Sequence, residues 1–216
     1  MKKIFTLIAA AFLAASVNAQ TILFPDLQEI YSAESGFKVT RVDPENKHVV
    51  DDNNTYFGTE TDYFKIEKRM KTNGKSTSTK NFFTLTIPSD GKLSIYARTG
   101  SNSATDRNLI ISQDGTELFN KVLLESEAVE VAMDETDPTK KNKVYPIITV
   151  DVKAGTVNAT YPIGSVNFYG FVFEGTTAIN NVNAAPSVKT AKTIENGQLV
   201  IKSAKGTFNA AGAQMK

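Results

Sequence analysis

Apolar and polar residues alternate along most of this chain, and a period of two predicts β-strands rather than helices. Residues 82–87 and 92–98 show the pattern most clearly, each with three apolar side chains on one face. Those positions are Phe83, Leu85, Ile87, Leu93, Ile95 and Ala97. Between the two runs lies Pro88-Ser89-Asp90-Gly91, and an Asp-Gly step in such a place is typical of a hairpin turn. The pattern therefore predicts a β-hairpin over residues 82–98.

Further short strands are predicted through the middle of the chain, separated by connectors rich in Gly, Asn and Asp. They span residues 37–42, 63–68, 107–112, 117–124, 128–133, 145–152, 155–161 and 166–174. The last run is apolar on both faces at residues 168–173, which favours a central strand covered on both sides. A short helix is predicted at residues 27–31. Many short strands without intervening helices predict an all-β fold, an antiparallel β-sandwich or jelly roll.

The composition of the two ends differs from that of the middle. Residues 1–19 place Lys2 and Lys3 before an apolar run and end on Val17-Asn18-Ala19, which is the order of a secretory signal peptide. We therefore expect an exported protein that starts at Gln20, with a β-sandwich domain over residues 20–175. Residues 176–192 have few large apolar side chains and are predicted to be a linker, followed by a short tail at 193–216 with one or two strands.

Charge and residue usage exclude several classes of chemistry. Lys and Arg number 24 against 23 Asp and Glu, which gives no basis for electrostatic capture of nucleic acid. The absence of Cys excludes disulfides, acylation of a lipoprotein and zinc sites that need thiolates. The one histidine, His48, follows the polar residues 44–47 and is predicted to be an exposed loop residue. We therefore predict a protein without catalytic apparatus, without a transmembrane segment and without a cofactor.

Two acidic segments bear on metal binding and hydrolysis. Asp51-Asp52-Asn53-Asn54 carries oxygen ligands of the kind that calcium prefers, although it lacks EF-hand spacing, so a structural calcium stays open. Residues 134–137 contain three carboxylates within four residues, whereas a glycosidase needs two carboxylates across a cleft. A proline and two lysines follow them closely, and we therefore interpret this segment as an exposed loop.

A set of tyrosines and arginines on predicted strands is the candidate ligand site. Tyr96 and Arg98 point outward on one strand, Arg107 opens the next, and Tyr169 lies near the end of the domain. Tyrosine rings offer apolar faces to sugar C–H groups, and arginine offers a planar donor fork for carboxylates. Together they would suit an acidic sugar such as a uronic acid.

The alternative is purely structural. Arg98 and Arg107 would then pair with carboxylates at strand ends, such as Asp106, and the tyrosine rings would pack against neighbouring side chains. The absence of Trp also counts against a strong sugar-stacking platform.

Part of the domain resembles a known class of module. The stretch LSIYARTGS at residues 93–101, with DRNL at 106–109, is similar to β-sandwich modules that accompany bacterial pectate lyases. The stretch GSVNFYGF at residues 164–171 is similar to their closing strand, and Asn167 within it is a further candidate ligand contact. The resemblance covers roughly residues 63–174 and implies a carbohydrate-binding jelly roll. It does not imply lyase chemistry, because the catalytic β-helix is missing.

The tail carries a second resemblance. NGQLVI at residues 196–201 and FNAAGAQ at 208–214 are similar to the opening of a type IX secretion sorting domain. Such domains carry proteins across the outer membrane of some Gram-negative bacteria, often to the cell surface. The sequence departs from that family by lacking its final strands, and the alternative is an ordinary terminus with one edge strand.

Three functional hypotheses follow. The first is a secreted or cell-surface, non-catalytic module that binds carbohydrate, with acidic plant polysaccharide as the expected class. The second is a structural or adhesive surface protein that binds another protein or itself, by adding a strand to a sheet edge. The third is a small lyase or hydrolase that uses Tyr, Arg or Lys.

Overall fold

The computed structural model describes residues 19–132 and 139–176 in full and, of the C-terminal residues, the backbone of three strands at 191–195, 198–203 and 206–209. The predicted signal peptide except Ala19, the acidic segment 134–137 and most of the predicted linker lie outside these residues. The chain divides into two compact units, Met1–Thr176 and Thr177–Lys216. Within the described ranges there is no α-helix, and the prediction of an all-β fold is confirmed.

The strands of the first unit, in chain order, are β1 (Ala19–Leu23), β2 (Ile30–Ser32), β3 (Lys38–Val42), β4 (Val49–Gly58), β5 (Tyr63–Lys71), β6 (Phe82–Ile87), β7 (Gly91–Thr99), β8 (Asn108–Gln113), β9 (Thr116–Val122), β10 (Val129–Ala132), β11 (Lys141–Tyr145), β12 (Ile148–Val152), β13 (Gly155–Thr160) and β14 (Val166–Gly175). A 3-10 turn at Glu125–Glu127 precedes β10.

Two sheets pack face to face as a sandwich. The eight-stranded sheet has the order β10-β11-β4-β5-β14-β7-β12, and β1 pairs with the second half of β14. The six-stranded sheet has the order β2-β3-β6-β13-β8-β9. Pairing is antiparallel except between β11 and β4. The long central strand β14 is buried at its first eight positions, as the two-sided apolar run at residues 168–173 predicted.

The core between the sheets is aromatic and closely packed. The ring of Phe168 lies 4.9 Å from that of Phe83, edge to face, and 5.7 Å from that of Phe171. All three side chains are fully buried. Burial of apolar side chains is the main stabilising contribution available to this chain, because it contains no Cys and therefore no disulfide.

The predicted hairpin over residues 82–98 is wrong, although both of its strands exist. β6 belongs to the six-stranded sheet and β7 to the eight-stranded sheet, so the connection crosses the sandwich. The apolar faces of both strands point into the same core from opposite sides, and a single sequence cannot distinguish this from a hairpin. Asp90 in the connection accepts hydrogen bonds from Ala154 N (3.1 Å) and Lys153 Nζ (2.9 Å), which ties it to the connection between β12 and β13.

A hairpin does occur at the other Asp-Gly step. β8 and β9 pair with Gln113 opposite Thr116, joined by Asp114 at φ 50° and Gly115 at φ 77°. Positive φ at both turn residues is the geometry that gives two-residue hairpins their right-handed twist.

Two further expectations need correction, and one long strand was not expected. The predicted helix at residues 27–31 is absent, and β2 begins at Ile30 instead. The predicted strand at 145–152 is two strands, β11 and β12, interrupted at residues 146–147. The ten-residue β4, which includes the acidic segment at residues 51–54, was not predicted, because its polar residues hide the alternation.

The C-terminal unit contains a three-stranded antiparallel sheet, β15 (Ala191–Glu195), β16 (Gln198–Ser203) and β17 (Gly206–Asn209). The sequence predicted one or two strands here, and three are present. Glu195 pairs with Gln198, which makes β15 and β16 adjacent strands rather than one continuous strand. No helix among the described residues is long and apolar enough to cross a membrane.

Candidate ligand-binding site

The face of the eight-stranded sheet that points away from the six-stranded sheet, here called the outer face, is buried at its centre, whereas Lys92, Thr149 and Asp151 on β7 and β12 are exposed. A second apolar cluster covers the centre, and we call this the outer cluster. Its members are Phe57, Ile66, Tyr96, Tyr145, Tyr169 and Val172. Phe57 is central, with ring centroids 5.0 Å from Tyr169, 5.6 Å from Tyr96 and 6.1 Å from Tyr145. Three of the six members of the outer cluster are therefore tyrosines, whereas the much larger inner core includes two, Tyr31 and Tyr161.

Two strand irregularities bring polar groups together at the margin of the outer cluster. The register of β14 against β7 shifts between Phe168 and Gly170, and that of β4 against β5 shifts between Asp52 and Thr55. The shifts leave Tyr169 and Asn53 without paired residues, and Tyr169 Oη donates to Asn53 Oδ1 at 2.6 Å. Bulges of this kind redirect side chains and are frequent beside functional sites.

Arg98, at the end of β7, lies at the centre of this polar region. Its Nε donates to Tyr169 Oη at 3.1 Å, and its Nη1 lies 3.2 Å from Tyr145 Oη, 3.3 Å from Glu125 Oε2 and 3.2 Å from Asn102 Oδ1. Its guanidinium carbon also lies 5.2 Å from the centre of the Tyr145 ring, a cation–π distance. The Nη2 group donates to no residue in the described part of the chain.

Glu125 supplies the carboxylate of the site. Besides Arg98, it accepts hydrogen bonds on Oε1 from Tyr145 Oη (2.8 Å) and Lys143 Nζ (2.9 Å). Desolvation raises the pKa of Glu125, but the bonds from Lys143 and Tyr145 and the charge of Arg98 outweigh it, and the pKa is lowered. Desolvation also raises the pKa of Tyr145, which therefore stays a neutral donor at pH 7. The site thus joins two cations to one anion. We call the set formed by Arg98, Glu125, Lys143, Tyr145, Tyr169 and Asn53 the Arg98 network.

A cavity of about 130 Å³ opens beside the Arg98 network. We call it the polar cavity. It is lined by Asn53, Asn54, Thr55, Tyr56, Arg98, Asn142, Lys143 and Tyr145. Asn54, Asn142 and Lys143 are exposed at its rim, whereas Thr55 and Tyr145 are buried. Amides, hydroxyls and cations therefore face a space that suits a small polar or anionic group.

The residues predicted from sequence are only partly together. Tyr96, Arg98, Asn167 and Tyr169 all lie on β7 and β14 of the eight-stranded sheet, and Asn167 is directly opposite Arg98. Arg107 instead precedes β8 of the other sheet, where its Nη1 donates to Ser165 Oγ at 3.2 Å. Arg98 and Arg107 therefore belong to separate environments.

The expected exposure of the tyrosine rings is also wrong. Tyr96 is 4% exposed, Asn167 4% and Tyr169 0%, so no ring face of Tyr169 is available for stacking. The alternative of packed tyrosines and paired arginines describes their contacts better. Arg107 Nε lies 3.6 Å from Asp106 Oδ1, and Arg98 pairs with Glu125. Of the five predicted residues, Arg98 is the one that lines the polar cavity.

His48 is buried rather than exposed, with 1% of its surface accessible. Its ring stacks on Phe83 at 5.1 Å between centroids, and its Nε2 lies 2.7 Å from Tyr161 Oη. The Asp43 carboxylate accepts hydrogen bonds from the His48 backbone N–H (2.8 Å) and from Arg41, which holds the loop against the core. The polar residues 44–47 before His48 gave no indication that its side chain is buried.

The acidic segment of β4 is engaged in ion pairs. Asp51 accepts two hydrogen bonds from the guanidinium of Arg69, at 2.7 and 3.1 Å, and Asp52 lies 3.6 Å from Lys68 Nζ. Within the described residues, no three His, Asp or Glu side chains lie close enough together to hold a metal ion.

Most of the Arg98 network was not identified from sequence. Asn53, Glu125, Lys143 and Tyr145 lie 27 to 47 residues from Arg98 along the chain, and no local motif links them. Comparison of the chain with protein families and with curated proteins finds no match to any family model and no significant match to any curated sequence.

Proposed function

We propose that this protein is an exported, secreted or cell-surface module that binds acidic carbohydrate in the polar cavity without catalysing a reaction. The observation that supports this most is that two cations, Arg98 and Lys143, both line a cavity that asparagine amides also line. The predicted signal peptide and the similarity of the tail to a sorting domain support export. The similarity of residues 93–101 and 164–171 to lyase-associated modules supports a uronic-acid polymer as ligand.

The chemistry of the cavity suits a sugar carboxylate. The carboxylate of Glu125 is already shared between Arg98, Lys143 and Tyr145, so the network has one positive charge in excess. The Nη2 group of Arg98 and the ammonium of Lys143 supply donors to an incoming carboxylate. Asn54 and Asn142 offer both donors and acceptors to sugar hydroxyls, which a fixed charge alone would not.

Lys143 gives the sharper test, because Arg98 also supports the fold. We expect wild-type protein to bind polygalacturonate in titration calorimetry and not neutral galactan. Lys143→Ala is expected to weaken binding by about tenfold, since it removes a charge-assisted contact. Lys141→Ala is the matched control, because it removes the same charge two residues earlier on β11, outside the cavity. Equal losses in both variants, or no binding by wild type, would contradict the proposal.

A structural or adhesive role is a second candidate, favoured by one observation. In the described part of the chain β9 pairs with β8 alone, so one edge of the six-stranded sheet is open, and Leu118 on it is 36% exposed. Open edges pair readily with other strands. Sedimentation at increasing protein concentration tests this, and a monomer throughout would count against self-assembly through the edge.

A further inference from the structure

Glu125 bonds to three residues that line the polar cavity, although it does not line the cavity itself. Its Oε1 accepts hydrogen bonds from Lys143 Nζ at 2.9 Å and from Tyr145 Oη at 2.8 Å, and its Oε2 accepts one from Arg98 Nη1 at 3.3 Å. The Glu125 side chain is 13% exposed. A ligand that enters the cavity therefore meets the three partners of Glu125 rather than the carboxylate itself.

The net charge of the polar cavity depends on this carboxylate. Arg98 and Lys143 both line the cavity, and none of the described lining residues is acidic. Glu125 forms ion pairs with both cations, so one positive charge remains in excess instead of two. The lowered pKa described above keeps Glu125 ionised at pH 7.

A ligand with one negative charge matches this excess, and a second negative charge would have no partner. The cavity measures about 130 Å³, which leaves little water around such a charge, and removing an unpaired charge from water is costly. Glu125 would also repel it, because both would compete for Arg98 and Lys143. Unpaired and like charges of this kind allow a binding site to reject the wrong ligand.

Resting on the proposed acidic-sugar site, we infer that Glu125 is a specificity-determining residue that limits the polar cavity to ligands with a single negative charge. A sugar carboxylate meets this condition. A sugar phosphate, with a charge of about −2 at neutral pH, does not. The ligand class is thereby narrowed from acidic sugars in general to sugars with one charge per residue, such as uronic acids.

The test is titration calorimetry at pH 7.5 with galacturonate and galactose 6-phosphate. Wild type is expected to prefer galacturonate. Glu125→Gln keeps the size and an acceptor oxygen but removes the charge, and it is expected to bind galactose 6-phosphate about tenfold tighter than wild type does, with a smaller change for galacturonate.

Glu127→Gln is the matched control. It removes the same charge from the same 3-10 turn, but Glu127 pairs with Lys121 and lines a second cavity, beside β9, rather than the polar cavity. This variant is expected to keep the preference of wild type. Equal shifts in Glu125→Gln and Glu127→Gln, or no shift in either, would overturn the inference.

A double variant, Glu125→Gln with Lys143→Gln, separates charge from structure. It returns the cavity to one positive charge, so the preference for galacturonate over galactose 6-phosphate is expected to return even if both bind more weakly. A structural defect caused by Glu125→Gln would persist in the double variant. A preference that stays altered would therefore contradict control by charge.

Inorganic sulfate provides a readout that is independent of the sugar. At constant ionic strength, sulfate is expected to raise the midpoint of thermal unfolding of Glu125→Gln more than that of wild type, because an anion that binds the folded protein stabilises it. If it does so but no variant binds galacturonate, Glu125 sets the charge of the cavity and the proposed function fails. If wild type binds galacturonate but Glu125→Gln responds to sulfate and galactose 6-phosphate as wild type does, the proposed function is supported and the role of Glu125 is overturned.

Discussion

The two faces of the eight-stranded sheet are both buried at the centre, yet they are built differently. The inner face is closed by phenylalanines such as Phe168 and Phe171, which pack against each other and against Phe83, with Tyr161 beside Phe168 at the margin. The outer face is closed by tyrosines, and two of them, Tyr145 and Tyr169, extend their hydroxyls into the Arg98 network. The same strands, β7 and β14, contribute to both.

The difference shows how one sheet can combine stability with a binding surface. A dry apolar core gains free energy from burial and tolerates no unpaired polar group. Tyrosine buries a ring of similar size but needs a partner for its hydroxyl, so a polar network forms where the ring ends. On this sheet, the network lies at the edge of the outer cluster, where cavities open to solvent.

The largest expected effect is on the inner face. Phe168→Ala should lower the free energy of unfolding by about 3–5 kcal/mol, because it leaves a cavity among rings that are fully buried. Leu27→Ala, at a position 47% exposed, should change it by less than about 0.5 kcal/mol. Urea unfolding at pH 7.5 measures both, and similar losses would show that the inner rings are not the main source of stability.

The pH dependence of stability should reveal the contribution of His48, which lies at the polar margin of the inner face. Desolvation lowers the pKa of His48 to about 4, despite the opposing charge of Asp43, with Arg41 adding to the decrease. The unfolded chain takes up this proton near pH 6.5 and the folded chain only near pH 4. The contribution of neutral His48 is therefore complete above pH 6.5 and declines as pH falls towards 4, by on the order of 3 kcal/mol.

His48→Leu isolates this effect. The variant should lose stability at neutral pH with the hydrogen bond to Tyr161, and its free energy of unfolding should fall less steeply between pH 6.5 and 4. Carboxylates with lowered pKa, such as Glu125, contribute equally to both proteins, so the difference between the two pH curves measures His48. Parallel curves would mean that His48 is protonated at its ordinary pKa in the folded protein.

On the outer face, the two arginines predicted from sequence should behave differently. Arg98→Met should cost about 2 kcal/mol, because it removes four hydrogen bonds, one of which is also a mostly buried ion pair with Glu125. Arg107→Met should cost less than about 1 kcal/mol, since the Arg107 side chain is 28% exposed and its partner Asp106 is 69% exposed. Thermal unfolding at low salt compares them, and the reverse order would contradict the central role of Arg98.

The smallest effects should separate two tyrosines of the outer cluster. Tyr169→Phe should cost about 1 kcal/mol, because Asn53 and Arg98 lose their shared partner. Tyr96→Phe should change stability by less than about 0.5 kcal/mol, as the Tyr96 hydroxyl makes no hydrogen bond with the described residues. Denaturant midpoints resolve the pair, and equal costs would show that the hydroxyl of Tyr169 is as dispensable as that of Tyr96.

Local pattern predicted the strands well but not their partners. Residues 82–87 form β6 as predicted, and residues 92–98 lie within β7, yet these strands belong to opposite sheets. Asp90-Gly91 and Asp114-Gly115 are the same dipeptide, and only the second joins paired strands. Alternation specifies that one face of a strand is buried. It does not specify whether the next strand along the chain pairs with it in the same sheet or faces it across the core.

The candidate site was predicted less well than the fold. Arg98 was identified because its side chain is unusual among outward-facing positions of a strand, but Glu125 and Lys143 carry no such signal. The tyrosines were assigned to the correct strands and the wrong exposure, because burial on the outer face depends on the outer cluster. Two bulges, at Tyr169 and Asn53, also decide which side chains meet.

The sequence by itself determined that this is an all-β chain with an apolar face on nearly every strand, no disulfide and one histidine. These properties depend on residue type and spacing alone, so they can be inferred without knowing which strands pair. The tertiary structure alone decided that His48 is buried, that Arg98 and Arg107 lie apart, and that Arg98 meets Glu125 and Lys143 at a cavity. Each of these depends on strand pairing between distant segments, and pairing is set by the packing of the whole sandwich rather than by any local run of residues.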